Sequence, residues 1–351
     1  MANLWKRINR RASLEVTRGL LANRYYNWYV FSRQLSDDLT GKIQPHYVQG
    51  NEKREKTDEV VVVHNGWTES GGLADRLRGI VSTYLLCKEM GREFRILFTH
   101  PFPLEMFLVP NTYDWRIKEK DVIFDWQQAT PLCLEIGSES RWQTKRQKAF
   151  LRKGIEAAEG KQVHIYTNAL FAYFEGFGQA FQELFRPSER LQAAIDRELQ
   201  TLGKGYVSVS ARFMGVFGDF KDTMEGGLLP GDKQELLLSS CIKKLEQIHA
   251  KHPEVKMLVN SDSTTFLNRA RQFPYVYTIP GHILHLDVTE GTKNDEQLYQ
   301  TYEKTFLDFF MIAHAAEVYR LQGKWMRSAT GFPFAASLLY GKPFHKAKFS
   351  L

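Results

Sequence analysis

Four stretches of this chain set charge, hydroxyl or glycine just past an apolar run, where side chains are free to do chemistry. In "SVSARFMGVFGDF" (208–220), Arg212 stands where a β-branched run gives way to a glycine-containing loop. A guanidinium there can fork onto a phosphate, which lysine does less well; the plainer reading is a surface arginine at a strand end. In "LVNSDSTTF" (258–266), Asp262 directly follows an apolar run, flanked by Ser261 and Ser263. Its carboxylate can accept two N–H bonds from a guanine edge while the hydroxyls meet ribose or phosphate, and the same residues suit the cap of the next helix. In "TESGGLADRLRGI" (68–80), Gly71 and Gly72 open a turn that lets a ligand approach backbone amides; ordinary loop chemistry reads equally well. The fourth stretch, "RSATGFPFAASLLYGKPF" (327–344), offers Ser328, Thr330, Gly331 and Phe332 at the start of a helix, a place for a phosphate.

These residues need elements to position them. "VVVVH" (60–64) reads as a buried strand, and Leu73, Leu77, Ile80, Val81, Tyr84 and Leu85 repeat at helical spacing up to Gly91, a stop signal. "FRILF" (94–98) completes a strand–helix–strand unit, which predicts parallel pairing with a right-handed crossover. A helix entered through Pro187 covers 184–199. Beyond it a second series runs: strands at 206–213, 256–263, 275–280 and 317–321, with helices over 233–251, 299–315 and from about 333. The fold expected is α/β, with two Rossmann-like halves facing a cleft. The divisions are 1–59, an arm and charged linker, 60–199 and 200–351. Ligands of such sheets bind outside the carboxyl ends of the strands, where all four stretches fall.

Composition narrows the class. The 351 residues, 43% hydrophobic and 25% charged, describe a globular protein of two ordinary domains. Three scattered cysteines give no disulfide framework or zinc spacing, which favours a reducing compartment and a cytoplasmic protein. No apolar run approaches the roughly 20 residues of a membrane span. The net charge of +7 suits an anionic partner, but the cations are spread out and no nucleic-acid module is visible. Residues 1–50 mix Lys and Arg with Trp5, Tyr25, Tyr26 and Trp28. They suit either the surface of an anionic bilayer, with the protein peripheral at the inner membrane, or an arm packed on the body or a second subunit. In "GHILHLD" (281–287), His282, His285 and Asp287 allow three readings: a metal site, an acceptor-facing His–Asp pair, or a structural hydrogen bond.

Taken in order, these motifs resemble one family. A glycine loop with D-x-L-R, a strand-end arginine, a strand ending in S-D-S, and D-x-x-x-x-x-x-A followed by S-x-T-G-F-x-x-x-A-S-L-L-x-G-K-P are similar to the fucosyltransferase superfamily. That superfamily spans alpha-1,2-, alpha-1,6-, protein O- and nodulation fucosyltransferases, and the likeness covers roughly residues 60–345, with 308–344 its most specific part. The resemblance implies a GT-B-like architecture, a GDP-fucose donor, inversion at the anomeric carbon, a glycan acceptor, and no metal or cofactor. No Asp-x-Asp motif occurs in the chain. It also implies roles: Arg212 on the β-phosphate, Asp262 with Ser263 at the guanosine, Ser328, Thr330, Gly331 and Phe332 at the diphosphate, and Gly71 and Gly72 in the first-half loop. Glu69 matches the position of the catalytic glutamate of one branch, with Asp75 second as base. The chain departs from the pattern around the arginine, where Ser210 and Phe213 replace the family's histidine and second arginine. A different nucleotide sugar, or a binding protein without turnover, stand as alternatives. A dinucleotide oxidoreductase is disfavoured, since neither G-x-G-x-x-G nor a ribose-binding acid is found. By association, a basic cytoplasmic enzyme of this kind suggests bacterial surface-polysaccharide or lipopolysaccharide assembly.

Overall fold

A computed structural model describes residues 39–49, 58–68, 70–134, 141–169, 176–220, 227–281, 286, 294–327 and 331–351. Glu69, His282, His285, Asp287, Ser328 and Thr330, and most of the amino-terminal arm, lie outside the described residues.

The strand–helix–strand unit forms as its pattern predicts. Strand β1 (Val60–His64) is buried throughout, and helix α1 (Leu73–Met90) ends at Gly91 in the left-handed conformation with φ 65°. Strand β2 (Phe94–Phe98) pairs in parallel with β1, from Val60 opposite Phe94 to His64 opposite Phe98. The chain then adds β3 (Leu108–Pro110), β4 (Ala129–Leu134), helix α2 (Arg141–Ala157) and β5 (Gln162–Thr167). The first sheet is parallel with order β2-β1-β5-β4.

Helix α3 (Phe177–Leu184) and strand β6 (Phe185–Pro187), antiparallel to β3, lead into helix α4 (Glu189–Leu202). The helix expected over 184–199 therefore starts later. Pro187 closes a short strand, and Ser188 caps α4 by accepting the Leu191 amide. The second series is β7 (Val207–Ala211), α5 (Gly231–His249), β8 (Met257–Ser261), α6 (Thr264–Ala270), β9 (Val276–Tyr277), α7 (Asp295–His314), β10 (Glu317–Gln322), α8 (Phe332–Leu339) and β11 (Phe344–Lys348). Its sheet is parallel as well, with order β11-β10-β7-β8-β9.

The described residues form two hydrophobic clusters. The smaller lies in the second half, among Val207, Val209, Leu237, Val259, Phe266 and Leu321. The larger surrounds the first sheet and continues through α7 and α8. Phe107 stacks on Phe306 with centroids 4.2 Å apart, and Phe102 meets Tyr302 at 4.7 Å, so α7 is seated on aromatic residues from the other half. Each ring buried in this seam is worth about 1.5–3 kcal/mol. The backbones close up too. A Cβ at Gly178 of α3 would fall 2.5 Å from the Leu338 carbonyl oxygen of α8, and Gln182 Nε2 donates to the Leu339 carbonyl at 3.0 Å. The described end of the arm also packs on the body. Ile43 and Tyr47 are buried, and His46 stacks on Trp67 at 3.9 Å. No helix among the described residues is long and apolar enough to cross a membrane.

Candidate functional site

In the first half the site begins where β1 runs out. Gly71 adopts φ 73°, a conformation that favours glycine, and Gly72 starts α1. Arg76, buried on α1, holds this turn from beneath: Nε donates to the Gly71 carbonyl at 2.9 Å and Nη1 to the His100 carbonyl at 2.6 Å. Buried cations need such partners, and here two carbonyls on different loops supply them. His64, the last residue of β1, is 2% exposed, and neither ring nitrogen has a partner among the described residues. Burial, followed by the charge of Arg76, pushes its pKa well below the ordinary histidine value, so the ring is neutral.

Asp75 does not cap its helix. It pairs with Arg78 one turn along, and its second carboxylate oxygen lies 3.1 Å from where a Gly71 Cβ would be. Arg78 in turn reaches the second half. Its Nη1 would be 2.8 Å from a Cβ on Gly331, the residue that opens α8. Phe332 packs edge-on to Phe309 of α7, centroids 5.6 Å apart, which fixes the start of α8 on the aromatic seam.

In the second half, Arg212 follows β7 directly. Its Nε lies 3.3 Å from Asp262 Oδ2, its guanidinium stands over the Phe220 ring at 5.2 Å, and its side chain is 23% exposed. Its carbonyl accepts the Arg327 amide at 3.1 Å. Asp262 has partners within the chain that the sequence does not show. Oδ1 accepts the Phe213 amide and Oδ2 the Met214 amide, both at 2.8 Å, and the residue is 4% exposed. Both oxygens are turned inward, binding the loop that carries Arg212 to the end of β8. Burial raises the Asp262 carboxyl, while Arg212 and the two amides draw it down. Met214 takes φ 54° in this loop, a strained value for a non-glycine residue that the two clamped amides hold in place.

Ser263 is the cap of α6, accepting the Phe266 amide at 3.1 Å, and it donates to Asp219 Oδ2 at 2.8 Å. Asp219 was not singled out by sequence. Burial works to raise its pKa, but the Thr265 amide and the Ser263 and Thr264 hydroxyls outweigh it and hold the carboxyl low. The signal that could have found it is its place in the glycine-rich loop, between Gly218 and Phe220. The departures around Arg212 also gain a cause. Phe213 is buried against Phe217 and Phe266, where a second cation would be desolvated, and Ser210 donates to Asn260 Oδ1 at 2.5 Å.

The geometry thus assembles two clusters. Gly71, Gly72 and Asp75 meet Gly331 across the halves through Arg78, while Arg212, Asp262 and Ser263 form one network at the ends of β7 and β8. Among the described residues no group of three or more His, Cys, Asp or Glu is arranged to hold a metal ion.

No family model and no curated protein matches the sequence. Solved structures do match. The alpha-1,6-fucosyltransferase NodZ co-crystallized with GDP superimposes with a TM-score of 0.53 at 16% identity, over 82% of this chain and 93% of that one. NodZ soaked with GDP-fucose gives 0.52 at 16%, over 81% and 93%. The fucosyltransferase NodZ from Bradyrhizobium gives 0.52 at 16%, over 82% and 94%. At that identity the likeness is one of fold: two parallel α/β halves in the GT-B-like arrangement.

Proposed function

We propose that this chain is a glycosyltransferase that takes fucose from GDP-fucose and passes it to a glycan hydroxyl, with inversion at the sugar carbon and without a metal ion. The reading is carried by Arg212, fixed by Asp262 at the carboxyl end of β7 in a fold shared with a fucosyltransferase that was crystallized with GDP. Fold alone does not give function; a strand-end guanidinium that leaves part of its side chain accessible adds the chemistry.

In the proposed step an acceptor oxygen attacks C1 of the sugar from the face opposite the diphosphate. The bond from C1 to the β-phosphate oxygen breaks, and its electron pair leaves with GDP. Negative charge grows on that oxygen, and preorganised donors aimed there lower the barrier most. Arg212 supplies charge from the second half, and the amides of the glycine turn and of the 328–332 segment supply dipoles. Glu69 is the proposed base for the acceptor proton. Asp75 is the weaker choice, because its carboxylate is already engaged by Arg78.

The test is a donor panel in EDTA, with nucleoside diphosphate release as the readout. GDP-fucose should be turned over in preference to GDP-mannose and UDP-glucose. Preference for a UDP-sugar would reassign the donor, and tight GDP binding with no release from any donor would make this a binding protein.

A further inference from the structure

Gly331 is glycine for a reason its own backbone does not supply. Its φ of −81° and ψ of −17° are open to any residue. What a side chain there would displace is Arg78, whose Nη1 and Cζ would lie 2.8 Å and 3.2 Å from a Cβ at that position. Arg78 belongs to α1 of the first half and Gly331 opens α8 of the second, so the contact spans the two.

Among the described residues Arg78 has one acceptor, Asp75, which takes Nη2. Its Nε is buried with none. A guanidinium carries five N–H donors, and donors left unmet in a buried place are costly. The same Asp75 lies beneath Gly71. Glycine turn, Asp75, Arg78 and the start of α8 therefore form one line of contact between the halves. An anion bound there would take the donors that Asp75 leaves over.

We propose that Arg78 is a ligand of the donor's diphosphate, a cation supplied from the half opposite Arg212. Asp75 holds its orientation through Nη2, and position 331 stays bare to admit it. The proposal rests on the GDP-sugar reading above and adds the residue by which the first half takes part.

The experiment titrates GDP, and guanosine by competition, into the full chain and its Arg78→Ala, Arg78→Lys, Gly331→Ala and double Arg78→Ala/Gly331→Ala variants. Arg78→Ala should weaken GDP about tenfold or more, the usual worth of a charge-assisted bond, and leave guanosine within about twofold. Arg78→Lys should recover part of the loss. Gly331→Ala should weaken GDP in the wild-type background and add nothing in Arg78→Ala. If Arg78→Ala does not fold, Arg78→Gln takes its place. Unchanged GDP affinity in the Arg78 variant, or equal weakening of GDP and guanosine, would overturn the proposal, since a purely structural role moves both alike. A wild-type chain that binds no GDP would sink the functional reading, and this proposal with it. A wild type that binds GDP beside an Arg78 variant that binds it equally well would sink this proposal alone.

Discussion

The carboxylate of Asp262 and the guanidinium of Arg212 act as one device. The acid accepts two backbone amides and steadies Nε of the arginine, so the loop, its strained Met214 and the cation stand or fall together. Asp262→Asn tests this. Its amide nitrogen would face a backbone N–H, leaving a buried donor unmet at a cost of about 1–3 kcal/mol. The variant should melt earlier and bind GDP and UDP more weakly by the same factor, because the cation, not the base, has lost its support. Loss of the preference for GDP over UDP at an unchanged melting temperature would show instead that Asp262 reads the base. The sequence marked both residues as important, since a charge just past an apolar strand is conspicuous. Their mutual bond was not legible, because Asp262 lies 49 positions beyond Phe213 and neither neighbourhood names the other. Asp219 escaped notice for the same reason.

At the scale of elements, β1, α1 and β2 were readable because their apolar residues keep a strict period and a glycine ends the helix. Strand β5 was not. Gln162, His164 and Thr167 are polar yet buried, and each has a partner outside the strand, while His164 Nε2 also meets Gln162 Oε1 at 2.7 Å. The Ile123 amide donates to Gln162 Oε1 at 2.8 Å, Tyr47 Oη lies 2.5 Å from His164 Nδ1, and Thr167 donates to the Leu134 carbonyl at 2.7 Å. Q-V-H-I alternates as a strand with one wet face would, whereas both faces are buried, and β4 is interrupted by Pro131. Close helix packing is equally silent in sequence. Gly178→Ala sets a Cβ against two backbone carbonyls of α8 that cannot turn aside, and should cost about 1–3 kcal/mol by overpacking. Gly231→Ala at the start of α5 meets nothing within 4 Å and should be neutral or stabilising by up to about 1 kcal/mol. Melting temperatures of the pair decide. Equal effects would mean that α3 and α8 are not in the contact described.

For the whole molecule, the alternation of strand and helix displayed two α/β series, but not that the larger core would run through α7 into the other half. Tyr299, Tyr302 and Phe306 read as one face of a helix, and nothing local assigns them Phe102 and Phe107 as partners. That shared core also carries a pH dependence. Burial lowers the pKa of His164 to about 3 and that of His64 well below its ordinary value, while the unfolded chain protonates both near 6.5. The unfolded state therefore binds more protons below pH 6.5. The stability contributed by keeping the rings neutral is present above that pH and is lost as pH falls toward the folded pKa values. Each ring should remove about 1.4 kcal/mol per pH unit in that window, read as urea midpoints between pH 7.5 and 5, and His164→Gln should flatten the slope. A midpoint independent of pH there would mean that the two rings are not buried as described. Above these details stands the claim that the cleft between the halves is built for a guanosine diphosphate sugar and meets its charge with protein groups alone. Calorimetric titration of GDP, UDP and CDP into the full chain in EDTA tests it most directly. The expected result is saturable binding of GDP at least about tenfold tighter than UDP or CDP, a difference of about 1.4 kcal/mol. Equal affinity for the three nucleotides, or no binding until a divalent metal is added, would contradict it.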